Sequence, residues 1–245
     1  MSKTIPIRQR IRQAILLTSM LLFPVTMNYL SPYVVMDGAV QGLLMASPII
    51  FTLQFITALF FGRFFCGWIC PAGAFQDACL GINNQPIKNH KIDWIKWMLW
   101  FPWLGTILYF LGKAGESIKF DPLHLTETGV SVDNPVKFIT YYLVVLLFVL
   151  AAVLIGRRGG CHVYCWMAPF MILGRKLGNA IHLPGLHLKA DPEMCTGCKT
   201  CTANCPMSLN VNDMVMNRQM ENSECILCGK CVDNCHTQAI YYNFR

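Results

Sequence analysis

Four stretches of this chain are almost unbroken in apolar residues, and polar, turn-rich segments separate them. They run over Ala14–Leu30, Gly42–Phe61, Trp94–Leu111 and Phe138–Ile155. Each approaches the roughly 17–25 residues that a helix needs to cross hydrocarbon, so the pattern predicts four transmembrane helices. Pro24, Pro48 and Pro102 fall inside them, which membrane helices tolerate. Lys96 sits in the first turn of the third, where a lysine can snorkel to the interface. Trp94, Trp97, Trp100 and Trp103 crowd the same stretch, and some of them are expected to anchor it at an interface. Beyond the fourth stretch the pattern changes. Residues 181–189, with His182, Pro184, Gly185 and His187, read as a linker to a short tail, residues 190–245. The expected fold is an α-helical membrane domain over residues 1–180, made of two parallel hairpin repeats, plus a small α+β tail domain.

Composition agrees with a lipid setting. Hydrophobic residues make up 54% of the chain and charged residues 13%, against about 25% charged in ordinary soluble domains. The basic residues are asymmetric. Lys3, Arg8, Arg10 and Arg12 precede the first stretch, Arg63, Lys88 and Lys91 follow the second, and Arg157, Arg158, Arg175 and Lys176 follow the fourth. The loop around Ser31–Gln41 carries no lysine or arginine, and the loop around Gly112–Pro135 sets Lys113 and Lys119 among four acids. The positive-inside rule then places both termini in the cytoplasm. A net charge of +7 is accounted for by that topology and requires no nucleic acid. The first stretch is long and lacks a small-x-small cleavage site near Met27–Tyr33, so it reads as a retained anchor, not a signal peptide.

Cysteine changes the picture most. The tail contains Cys-x2-Cys-x2-Cys-x3-Cys twice: Cys195, Cys198, Cys201, Cys205 before Pro206, and Cys225, Cys228, Cys231, Cys235 before His236. Three cysteines at that interval wrap one iron–sulfur cubane, and the fourth reaches the other. The predicted ligand sets are therefore crossed. Cys195, Cys198, Cys201 and Cys235 hold one [4Fe–4S] cluster; Cys225, Cys228, Cys231 and Cys205 hold the second. Zinc sites space their cysteine pairs more widely, and an odd total of 13 cysteines does not read as a disulfide framework. The segment resembles a bacterial two-cluster ferredoxin domain. It buries little apolar surface alone, so its clusters act as staples.

A second cysteine set marks an internal repeat. The second apolar stretch ends in Gly62-Arg63, followed by Cys66 and Cys70; the fourth ends in Gly156-Arg157, followed by Cys161 and Cys165. Three readings of these Cys-x3-Cys loops stand: a joint metal or cluster site, redox-active thiol pairs, or small residues packed where helices leave the bilayer. His162 lies inside the second pair as a candidate ligand or an ordinary loop residue. Cys79 has no counterpart and reads as structural.

With Phe65-Cys66-Gly67-Trp68-Ile69-Cys70-Pro71 on one side and the tail motifs on the other, the chain resembles the NapH-type membrane polyferredoxins. Cys161-His162-Val163-Tyr164-Cys165-Trp166 departs from that family's Cys-x3-Cys-Pro. The resemblance implies four spans in a prokaryotic cytoplasmic (inner) membrane and two C-terminal [4Fe–4S] clusters. It implies electron transfer between a quinone pool or membrane partner and a cytoplasmic-side oxidoreductase or soluble carrier. Related modules occur in a membrane regulator of nitrous-oxide reduction and in a copper reductase of oxidase assembly. The alternatives are thus reduction of copper or ferric ions at the Cys-x3-Cys loops, or a redox-sensing assembly factor. The apolar stretches contain no histidine to hold haem, no acid for a proton relay, and the chain has no Gly-x-Gly-x-x-Gly. A quinone crevice near the Cys-x3-Cys loops, with Trp68, Phe75, Tyr164 and Trp166 as candidate walls, would supply the missing route.

Overall fold

Proline starts and glycine stops several of the helices in a computed structural model that describes residues 5–115, 119–126 and 128–245. Lys3 lies outside the described residues. A helix over Ile7–Leu21 follows Pro6. Pro32–Gln41 opens on Ser31, whose hydroxyl accepts from the Val34 amide, and closes at Gly42. Ala46–Phe61, Ile95–Ala114 and Lys137–Ile155 close at Gly62, Gly115 and Gly156. Glycine takes such left-handed or strained backbone without a steric penalty.

The expectation of four transmembrane helices is corrected here. Among the described residues one helix, Lys137–Ile155, is long and apolar enough to cross a membrane, and only 17% of its apolar window is buried. The first stretch breaks at Leu22, ahead of a separate short helix over Phe23–Thr26 that contains Pro24, and its 15-residue main helix buries Gln9 and Arg12. The second loses its start to an extended pair, Leu43–Leu44, leaving 16 helical residues over Ala46–Phe61. At about 1.5 Å per residue that is roughly 24 Å, short of a hydrocarbon core of about 30 Å. The third is 20 residues long, but its tryptophans, Pro102 and its two lysines dilute its apolar character. With one such helix, a multi-pass topology with both termini on one side no longer follows. The basic residues counted for that topology are not free loop charges either: Arg12, Arg63, Arg157, Arg158 and Arg175 are all buried.

Helices Ala46–Phe61 and Ala168–Ala180 pack at very close range. A Cβ on Gly174 would lie 2.5 Å from the Phe55 carbonyl oxygen, and one on Gly178 would lie 2.4 Å from that of Leu59. The tail closes on itself through strands Leu186–Ala190 and Ile240–Phe244, antiparallel, with Leu186 opposite Phe244 and Ala190 opposite Ile240. A second two-stranded sheet pairs Leu43–Leu44 with Lys119–Phe120 in parallel. One continuous core includes Phe51, Ala58 and Met171 of the helices and Leu188, Val215 and Ile226 of the tail, with cysteines of both sets between them.

Candidate iron–sulfur centres

The two tail motifs fold alike. Gly197 and Leu227, Lys199 and Gly229, and Ser208 and Gln238 occupy matching places, and all six have positive φ. These left-handed residues turn the chain tightly enough for cysteines three apart to face one point, and such alternation gathers N–H groups around an anion. Cys205, Cys225, Cys228 and Cys231 line a single small cavity otherwise walled by residues such as Met207, Leu209, Met214, Met220 and Ile226. Burial, then the neighbouring Cys228 and Cys205, pushes the Cys225 thiol up to about 12. Burial and Cys228 push Cys205 up to about 11. Burial, then Cys228, Cys225 and Cys205, drives Cys231 well above the usual thiol range. Three buried sulfurs and the half-buried Cys225, with the thiols of Cys205, Cys225 and Cys231 all raised, form a donor set that metal charge would stabilise. The residues therefore fit a cluster. Of the other set, Cys201 is raised by burial and senses Cys195. Cys198 is exposed and lowered by the Thr200 hydroxyl and amide. Cys235 follows the short helix Lys230–Asp233, with its Sγ 3.6 Å from Thr237 Oγ1.

The Cys-x3-Cys segments are not continuous helices. Cys66 lies in a short helix over Phe64–Trp68, and Cys70 is extended ahead of the helix Pro71–Ala78. Cys161 lies in Gly159–Val163, and Cys165 precedes the helix Ala168–Ala180. The structure brings all four together in the core, each at most 7% exposed. Burial, then Cys66, Cys161 and Cys165, raises the Cys70 thiol strongly. Burial, then Cys161 and Cys66, takes Cys165 up to about 12. Gln76 Nε2 donates to Cys161 Sγ over 3.3 Å, and Cys66 Sγ is 3.8 Å from Met171 Sδ. Two buried guanidiniums flank the group. Arg158 donates to the Cys66 carbonyl over 2.7 Å, and Arg63 senses both Cys66 and Cys165. This donor set also suits a metal or cluster. Cys79 is buried elsewhere, raised by desolvation alone.

Sequence reasoning missed what couples the centres. Arg63 donates to Glu224 over 2.7 Å and to the Ser223 carbonyl over 3.1 Å, just ahead of Cys225. Its repeat counterpart, Arg157, donates to the carbonyls of Ala203 over 2.9 Å and Cys205 over 3.2 Å. Each Gly-Arg segment thus clamps one tail motif, although the expected hairpin partners, Ile7–Leu21 with Ala46–Phe61 and Ile95–Ala114 with Lys137–Ile155, do not pack on each other. Trp68 Nε1 donates to the Leu227 carbonyl over 3.1 Å, and Gln9 Nε2 to that of Cys228 over 2.9 Å. A Cβ on Gly67 would lie 2.2 Å from the Ile226 carbonyl oxygen, so the Cys66 segment touches the Cys225–Cys231 loop backbone to backbone. Below it, Asp77 accepts from Arg12 and Arg158. Burial alone would raise the Asp77 carboxyl, but Arg158 and then Arg12 outweigh it and hold it at about 2. The available signal was the rarity of acids in so apolar a chain: a lone Asp or Glu there needs a buried partner.

Of the four aromatics expected around a quinone crevice, only Trp166 lines the relevant cavity. That cavity, about 360 Å³, is apolar and bounded by Phe23, Met27, Phe148, Pro71, Ala72 and Met167 among others. Trp68 is committed to Leu227, Phe75 packs on Phe23 with ring centres 5.7 Å apart, and the Tyr164 hydroxyl donates to the Leu147 carbonyl over 2.9 Å.

Comparison with known proteins agrees with this chemistry. A family profile described as a 4Fe-4S binding domain matches residues 43–82, and one described as a 4Fe-4S dicluster domain matches residues 187–236. The chain is an iron–sulfur electron-transfer protein, and it carries two [4Fe–4S] clusters. Its relatives include an uncharacterized protein of Methanocaldococcus jannaschii, 23% identical and covering 86% of this chain and 82% of its own length. The putative electron transport protein YccM of Escherichia coli is 21% identical, covering 83% of this chain and 57% of its own. The ferredoxin-type protein NapH of Haemophilus influenzae is 22% identical, covering 75% and 63%. The chain is similar to the NapH-like polyferredoxins, as its cysteine motifs imply. No solved structure matches it.

Proposed function

We propose that the protein passes electrons between a membrane quinone and a partner oxidoreductase, with the two tail clusters as carriers and the four-cysteine centre as the link. The observation that carries this reading is the packing of the Cys66 segment on the Cys225–Cys231 loop, through Gly67, Trp68 and Arg63. The apolar cavity supports the quinone end. Pro71 and Ala72 adjoin Cys70, Met167 lies two residues from Cys165, and the Lys137–Ile155 helix supplies Thr140, Val144, Leu147 and Phe148 to its wall. That helix is also the apolar, largely exposed one, so a quinone tail would enter from lipid along it. A quinol oxidised there releases two electrons and two protons, one electron for each cluster; the reverse flow needs the same count. Membrane association rests on this helix and the apolar residues it leaves exposed, such as Leu143, Leu146 and Leu154.

The cluster ligands are the crossed sets, Cys195, Cys198, Cys201 with Cys235, and Cys225, Cys228, Cys231 with Cys205. Cys66, Cys70, Cys161 and Cys165 hold a further metal ion or cluster. Their burial argues against direct access by a substrate metal ion, and so against a metal-ion reductase. The test is redox titration of the anaerobically purified protein with a menaquinol analogue, following cluster EPR. Reduction of the clusters in the wild type, and at least a tenfold slower reaction in Trp166→Ala with unchanged iron content, is expected. Equal rates would remove the quinone from that cavity.

A further inference from the structure

His162 is the polar residue inside the second Cys-x3-Cys loop, and its ring is fully buried. Its Nδ1 is 2.5 Å from Asp93 Oδ1. Asp93 Oδ2 is in turn 3.3 Å from Nδ1 of His90, on the short helix His90–Trp94. One ligand atom from each of the three lies within 4.8 Å of the others. The other ring nitrogen of His162, Nε2, is buried and has no hydrogen-bond partner among the described residues. Two imidazoles and one carboxylate converge on one point, from segments about 70 residues apart in sequence.

We infer that His90, Asp93 and His162 form a binding site for a divalent first-row transition-metal ion, separate from the cysteine centres. Nitrogen and carboxylate oxygen donors suit zinc or ferrous ion, whereas the sulfur-rich centres suit softer ions and clusters. Three protein donors leave a coordination position for water, the arrangement of a reactive site more than of a purely structural one. The ion has a way in. His90 and Asp93 line an open cavity of about 990 Å³ that also reaches Asp213 and Glu224. The competing cation, Lys96, is 3.7 Å from Asp93 Oδ1 but is engaged by Glu224 at 2.7 Å. Glu224 therefore holds the closer of the two contacts to Lys96, while His162 and His90 both approach Asp93 more closely than Lys96 does. Leu209 and Met214 line both this cavity and the one bounded by Cys205, Cys225, Cys228 and Cys231.

The experiment is a zinc titration of the anaerobic, cluster-loaded protein by equilibrium dialysis, with X-ray absorption at the zinc edge. One zinc per chain is expected, with nitrogen and oxygen neighbours at about 2.0–2.1 Å and no sulfur shell at about 2.3 Å. His90→Ala should weaken binding at least tenfold while leaving iron content and the cluster EPR signal unchanged, because His90 lies at the surface. Asp93→Asn should weaken it similarly. Absence of zinc binding, a sulfur shell, or wild-type affinity in His90→Ala would each overturn the site.

Discussion

Replacing Asp77 by asparagine probes the buried charge cluster under the four-cysteine centre. The side chain accepts from Arg158 Nε at 2.7 Å and Nη2 at 3.0 Å, and from Arg12. The two guanidiniums are 0% and 1% exposed, and the carboxylate is 14% exposed. Holding its folded carboxyl at about 2 against an ordinary 3.8 corresponds to roughly 2.5 kcal/mol of stability when ionised. The asparagine amide leaves two buried cations without a counter-charge, and breaking such a pair costs about 3–5 kcal/mol. We expect a loss near 3 kcal/mol, and at about 2–4 °C per kcal/mol for a chain of this length the Tm should fall by about 6–12 °C. Thermal melts in detergent, followed by far-UV circular dichroism and by the brown cluster absorbance, read it directly. The pH dependence has a definite sign. Because the folded pKa lies below the unfolded one, this stability is complete above about pH 4 and drains away as pH falls toward 2. Asp77→Asn should therefore flatten the acid response in that window. A variant within about 2 °C of wild type, or one with an unchanged acid profile, would refute the claim that Asp77 neutralises Arg12 and Arg158.

Three further outcomes are expected. Gly67→Ala forces a side chain into the Ile226 carbonyl and should separate the Cys66 segment from the tail, slowing electron entry to the clusters at least tenfold in stopped-flow; an unchanged rate would count against the contact as the link. Cys205→Ser should remove about four of the tail's roughly eight irons and the same EPR species as Cys231→Ser, whereas Cys235→Ser should remove the other; matching losses in Cys205→Ser and Cys201→Ser would reverse the crossed assignment. Stripping iron with a chelator should expose amides of residues 190–245 to hydrogen exchange while the Ala46–Phe61 and Ala168–Ala180 pair stays protected, since that pair packs glycine directly against backbone carbonyls.

Much of the cofactor chemistry was open to reading in one dimension, because ligand spacing within a loop is a local property. Cys-x2-Cys-x2-Cys-x3-Cys dictates a wrap around one point, and the matching positive-φ residues in the two tail motifs carry out that geometry. The repeat was equally readable, since Gly-Arg and then Cys-x3-Cys occur twice. Apolar runs misled in the first three stretches, where Pro24, Gly42 with the Leu43–Leu44 extension, and the tryptophan-rich third helix shorten or dilute the span. Run length records apolar composition, whereas helix length also depends on where the backbone can turn. The arginines were the deeper error. Charge counting treats Arg12, Arg63, Arg157 and Arg158 as solvated markers of topology, yet each finds a carboxylate or carbonyl far away in the chain and becomes buried structure. A local pattern can state which atoms a loop offers; which distant partner neutralises a charge, and which two cysteine pairs meet, depends on packing between segments tens to hundreds of residues apart, and no local spacing encodes that.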